Sequence, residues 1–183
     1  VPSQSRCLKL FGDFTMLIAC VTFAGCWLLV TPAISQPIDS QDSMYPNVTR
    51  YLETAASEFD QISARRKARR EQLADYVAAC DRDGEPAWLT FICTHNSRRS
   101  HLSQVWAQVA AAHYGIAENM QTFSGGTEAT ACNPRTIAAL GRAGFAIFQR
   151  SEGANPLYEF RYSQHASPIE DFSKVYSDTR AGN

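Results

Sequence analysis

The 183-residue chain is short of what several function classes require. Lys and Arg number 17 against 18 Asp and Glu, a formal net charge of -1. It therefore lacks the basic excess of a protein held to nucleic acid by phosphate contacts. Its six cysteines include no C-x-x-C pair, so a zinc ribbon, a thioredoxin-type motif and a disulfide scaffold are all without support. No metal or cofactor is implied. Internal repeats and low-complexity tracts are missing too. What is present, 45% hydrophobic and 19% charged residues, suffices for a core and excludes disorder throughout. One domain plus a short appendage is the expectation.

Charge is scarcest at the start. Residues 1–43 carry only Arg6, Lys9, Asp13, Asp39 and Asp42, and nothing charged lies between Phe14 and Ile38. Met16 to Val30 is continuously apolar apart from small residues, about the length of a signal-peptide core and short of the roughly 20 residues a spanning helix prefers. Ala33-Ile34-Ser35 offers a cleavage site before Gln36, and Leu17-Ile18-Ala19-Cys20 is similar to a lipoprotein box. Two readings stay open. Residues 14–35 act as a signal or anchor, which would export the rest of the chain or tether it to a membrane. Alternatively, residues 1–43 are upstream sequence and a cytoplasmic protein starts at Met44, which the initial Val favours. Asn47-Val48-Thr49 matches a glycosylation sequon, a tripeptide common by chance.

Residues 44–84 read as a basic amphipathic helix. Leu52, Ala56, Phe59 and Ile62 recur at helical spacing, and Leu73, Tyr76, Val77 and Cys80 resume it. Between them Arg65 to Arg70 places five cations in six positions. A solvated helix face is the plain reading of that run, and steering of anions the functional one. Asp81 to Pro86 is turn-rich and ends the helix.

The chemistry concentrates after this break. Ala87 to Ile92 is a short apolar run rich in β-formers, hence an expected buried strand. It enters Cys93-Thr94-His95-Asn96-Ser97-Arg98-Arg99-Ser100, and an amphipathic helix with Leu102, Val105, Trp106, Val109 and Tyr114 follows, closed by Gly115. Strand, polar loop and helix place backbone N–H groups at a helix N-terminus, where anions bind. A cysteine there has a lowered thiol pKa. An arginine six residues on can fold back and grip a tetrahedral oxyanion bidentately. Together they suit attack on phosphorus with a covalent thiol intermediate.

This C-x5-R-S segment resembles the anion-binding loop of low-molecular-weight protein tyrosine phosphatases and of the arsenate reductases that share their fold. The resemblance implies Cys93 as nucleophile, Asn96 as the residue shaping the loop, Arg99 as the oxyanion-binding arginine and Ser100 as the hydroxyl stabilising the thiolate. Thr94, His95, Ser97 and Arg98 complete the phosphate-binding set. Thr94 and Ser97 look more like the reductase loop; His95 replaces a usual glycine, and Arg98 stands where a second cysteine is common. Downstream, Met120 to Phe123 should be a strand ending in a Ser124-to-Ala129 turn similar to the family's. Asn133-Pro134 should start a helix that buries Ile137, Leu140 and Ala143 before Gly144. Leu157 to Tyr162 and Phe172 to Tyr176 read as further strands. The implied fold over residues 85–183 is a three-layer α/β/α arrangement around a parallel sheet, cut short at its C-terminus.

One family feature is missing. The general acid of these enzymes is an Asp-Pro pair, and the chain has no Asp-Pro. Asp178 is the candidate near the end. The leading expectation is a phosphatase acting on phosphotyrosine-like monoesters through a phosphocysteine. Arsenate reduction at the same loop and a non-catalytic oxyanion-binding remnant stay open beside it. Cys80 and Cys132 read as packing residues rather than redox partners. The expected partner is a phosphorylated protein or a small phosphate or arsenate ion; nucleic acid is not expected, and a membrane only if residues 14–35 act as an anchor.

Overall fold

Proline at a first helical position opens the described part of the chain. A computed structural model describes residues 44–182, so the apolar segment 14–35 and its cleavage sites lie outside the described residues. Pro46, whose missing N–H costs nothing at a helix start, begins helix α1 (Pro46–Ser57). The single helix expected over residues 44–84 is two. Thr54 and Ser57 turn their hydroxyls back onto the carbonyls of Arg50 and Thr54, a 3-10 turn (Phe59–Gln61) follows, and Ile62 is extended. A second helix, α2 (Ala64–Asp83), then runs to Gly84, whose φ of +68° closes it.

The two helices differ in how they dock. Val48 is buried on α1 and Leu52 packs against the same core, while Tyr51 stacks on Trp106 at 4.6 Å. No α2 residue is buried: the run Arg65–Arg70 is solvated throughout, and Leu73 and Tyr76 stay exposed. Only Val77 and Cys80 touch the rest of the protein's apolar interior, against Ala87, Ala111 and Met120. The basic run is thus a solvent face, and α2 is not amphipathic over its length.

Strand β1 (Ala87–Cys93) leads into helix α3 (Arg99–His113), which returns the chain to strand β2 (Met120–Gly126). The strands pair in parallel from Ala87 opposite Met120 to Cys93 opposite Gly126. Connecting parallel neighbours requires a crossover, which α3 supplies. The expectation that β1 is fully buried fails on one face. Trp88 and Ile92 are more than half exposed, and Trp88 stacks on Phe123 at 5.5 Å.

Asn133 caps helix α4 (Pro134–Ala143) by accepting from the N–H of Arg135, and Gly144 follows at φ +103°. Beyond it, β3 (Ala146–Gln149), β4 (Tyr158–Arg161) and β5 (Ile169–Asp171) form an antiparallel sheet in that order. The main core joins Val105 and Val109 of α3, Leu140 and Ala143 of α4, Val48 of α1, and Phe160 and Ile169 of this sheet.

The fold is therefore mixed α/β, with a two-stranded parallel sheet and a separate antiparallel one among the described residues. Leu157–Tyr162 is a strand only over Tyr158–Arg161 and pairs antiparallel. Phe172–Tyr176 is not a ladder strand: Val175 alone forms a parallel bridge, to Gly126. The N–H groups of Ser173 and Lys174 are spent on the side chains of Asn155 and Asn96 instead. Among the described residues no helix is long and apolar enough to cross a membrane.

Candidate active site

Cys93 is the last residue of β1, and Arg99 the first of α3, so the five residues between them must turn the chain over one helix end. The turn is made at Asn96, the one described non-glycine residue with positive φ, at +41°. His95 does not take that conformation, although it stands where a glycine is usual in similar loops. Asparagine tolerates the left-handed region better than most residues, and this one is fully buried.

Asn96 also organises what surrounds it. Its amide Nδ2 donates to Ser100 Oγ at 2.8 Å, and its Oδ1 accepts the Lys174 N–H at 2.7 Å. Because Ser100 Oγ already accepts from Asn96, its own proton is free for Cys93 Sγ, 3.1 Å away. Partial burial pushes the Cys93 thiol up. Hydrogen bonds from the Ser100 hydroxyl and from the N–H groups of Ser100, Ser97 and Asn96 outweigh it and bring the thiol down to about 7. A substantial thiolate fraction at neutral pH follows.

The remaining loop residues are fixed mostly through their backbones. Thr94 O accepts from the Glu128 N–H at 2.7 Å and the Thr127 hydroxyl at 3.1 Å. His95 O accepts from Thr130 and Ser173 hydroxyls. Ser97 O accepts from the Asn133 N–H and the Thr136 hydroxyl, and Ser97 Oγ donates to Ala131 O. These bonds anchor the loop carbonyls to the β2–α4 connection, to α4 and to Ser173.

Gly126 permits this packing. A Cβ there would lie 2.5 Å from Glu128 O and 2.6 Å from Asn96 N, both backbone atoms that cannot yield.

Arg99 is exposed and curls back over the loop, with Nη2 3.4 Å from Thr94 Oγ1. Arg98, in the position before the helix, is exposed as well. Thr94 and His95 are exposed, Ser97 is half-buried, and Ser100 is buried beside the thiol. The loop residues singled out from the sequence thus come together.

Asp178, the candidate proton donor, is paired with Arg180. Its carboxylate accepts from the backbone N–H, Nε and Nη2 of Arg180 at 2.7–2.9 Å. Those bonds hold its pKa down to about 2. The carboxylate that does meet the loop is Glu128, 4.0 Å from His95 Nε2 at the rim. Its place beside the C-x5-R-S loop carries no signal in the sequence, nor do the supporting contacts of Ser173 and Lys174, some 78 residues along the chain from the loop.

Of the other described cysteines, Cys80 is half-buried on α2, and Cys132 is buried, with its thiol raised to about 12 by burial and by the charge of Asp171. Compared with known proteins, the chain matches no family model, no curated protein and no solved structure.

Proposed function

We propose that the Cys93–Ser100 loop is the centre of a cysteine-dependent phosphatase acting on phosphotyrosine-like monoesters, borne by a protein or by a small molecule. One observation carries the reading: a cysteine thiol brought to about 7, hydrogen-bonded to Ser100, on a loop whose mouth is bordered by Arg99. In this reaction the Cys93 thiolate attacks phosphorus as the P–O ester bond breaks, giving a phosphocysteine and the free alcohol or phenol. Water then splits the S–P bond, releasing phosphate and the thiolate. Arg99 and the loop N–H groups hold the equatorial oxygens, where charge accumulates in each transition state. The three-layer fold of the low-molecular-weight phosphatases belongs to the same proposal, supported by the β1–loop–α3–β2 unit.

A catalytic thiolate works best where thiols stay reduced, so the proposed compartment is the cytoplasm. N-terminal sequencing of native protein tests this; cleavage before Gln36 would refute it.

Phenyl phosphate ester hydrolysis, run beside arsenate-dependent thiol oxidation on wild type and Cys93→Ser, tests the activity. Hydrolysis abolished in Cys93→Ser supports the phosphatase. Thiol oxidation driven by arsenate without hydrolysis would point to reduction instead, and vanadate binding with neither activity to a binding remnant.

A further inference from the structure

Directly after the loop, three side chains of different chemistry meet in the interior. His101 lies in the first turn of α3, Cys132 just before α4, and Asp171 at the end of β5. One donor atom from each lies within 4.8 Å of the other two. His101 and Asp171 are fully buried and Cys132 is 5% exposed.

The closest pair is His101 Nδ1 and Asp171 Oδ2, 2.8 Å apart. They make an ion-pair contact without hydrogen-bond geometry, so neither atom has a hydrogen-bond partner, and His101 Nε2 has none either. Such atoms are costly in an interior, and native proteins rarely leave them so. Asp171 Oδ1, by contrast, is engaged: it accepts from Ser124 Oγ at 3.2 Å, and Lys174 Nζ stands 3.9 Å away. Those contacts orient the carboxylate and leave Oδ2 facing the imidazole.

We propose that His101, Cys132 and Asp171 bind one divalent transition-metal ion of the zinc type, through Nδ1, Sγ and Oδ2. Imidazole, thiolate and carboxylate together suit zinc and disfavour magnesium and calcium, which take oxygen donors. Binding exchanges the Cys132 thiol proton for the metal–sulfur bond and releases that proton to solvent. Thiolate plus carboxylate then neutralise the ion's two charges. Zinc bonds of about 2.0–2.3 Å place tetrahedral donors roughly 3.3–3.8 Å apart, within side-chain adjustment of the present separations. Water fills the fourth position.

The ion would join the starts of α3 and α4 to the end of β5. Each lies next to a support of the loop: Ser100 beside His101, Asn133 beside Cys132, and Lys174 three residues after Asp171. Its role is structural and does not depend on the loop being a phosphatase.

The full chain is loaded with zinc and separately with cobalt, freed of excess by gel filtration, and analysed for metal content and absorption. The expected result is one ion per chain and a thiolate-to-cobalt charge-transfer band. That band should persist in Cys93→Ser and Cys80→Ser and vanish in Cys132→Ser and Asp171→Asn. Wild type without stoichiometric metal, or a band that survives Cys132→Ser, overturns the proposal. Should Cys132→Ser fail to fold, wild type decides: zinc must slow alkylation of Cys132 in mild denaturant at least tenfold, and unchanged labelling overturns the site.

Discussion

Ser100 Oγ accepts from the Asn96 amide and sits 3.1 Å from Cys93 Sγ, so toward the thiolate, which has no proton, the Ser100 hydroxyl is the donor. This ties the reactivity of the cysteine to a residue whose conformation is set by the positive φ of Asn96. Alkylation by iodoacetamide should follow a titration with a midpoint near the value of about 7 set by these bonds. The thiolate is the reactive form, so the rate rises with pH through that midpoint and levels off above it. In Ser100→Ala the midpoint should move up toward the roughly 8.5 of a free thiol. The sign for stability agrees. A depressed folded pKa contributes stability that is fully present above the unfolded thiol pKa and lost as pH falls through about 7. An unchanged midpoint in Ser100→Ala would show that the loop N–H groups alone set it.

Asn96→Ala should cost more than its size suggests. It removes the bonds to Ser100 and to the Lys174 N–H, at about 0.5–1.5 kcal/mol each, and leaves alanine in the left-handed region at about 1–2 kcal/mol. A loss of about 2–5 kcal/mol in urea unfolding is expected, with the Cys93 midpoint displaced upward. Gly126→Ala should be worse for the loop, because its Cβ meets backbone on both sides. Loss below 0.5 kcal/mol in either variant would contradict the packing described.

The strand–loop–helix unit is legible in the sequence because each of its signals is local. An apolar β-rich run, a polar loop, and an apolar period closed by Gly115 fall within about thirty residues, and the parallel pairing places Cys93 level with Gly126. Asn133-Pro134 is legible for the same reason, since the cap and the first helical residue are adjacent. What escapes is what depends on distant partners. Phe172–Tyr176 has the composition of a strand, yet Asn96 and Asn155 take its backbone donors. The apolar spacing from Leu52 to Cys80 reads as one helix, while the extended Ile62 divides it and α2 stays solvated. Asp178 is chosen from the sequence by position alone, and its pairing with Arg180 two residues on is not signalled there.

Arg99→Lys should not behave as a conservative change. Lysine cannot span two oxyanion oxygens with a planar fork, so both ground-state and transition-state contacts weaken. Phosphate and vanadate inhibition should fall, and turnover of an aryl phosphate should drop on the order of 10²–10³-fold. Arg98→Ala should change turnover far less, because Arg98 has no loop contact comparable to that of Arg99 with Thr94. Equal vanadate affinity in wild type and Arg99→Lys would remove Arg99 from the anion site.

Proton delivery to the leaving group separates the carboxylates. Asp178 is fixed by Arg180 with a pKa of about 2, so Asp178→Asn should leave the dependence of rate on leaving-group pKa unchanged. A working general acid supplies about 10²–10⁴-fold and flattens that dependence, because poor leaving groups depart already protonated. While Arg180 holds Asp178, wild type should show a steep negative slope: activated aryl phosphates react readily and phosphotyrosine slowly. Breakdown of the phosphocysteine without a base should give a burst before a slow steady state. The measurement is pre-steady-state phenol release across a series of aryl phosphates. A flat slope in wild type that steepens in Glu128→Gln would make the rim carboxylate beside His95 the acid. A flat slope that steepens in Asp178→Asn would mean that the Arg180 clamp opens when substrate binds.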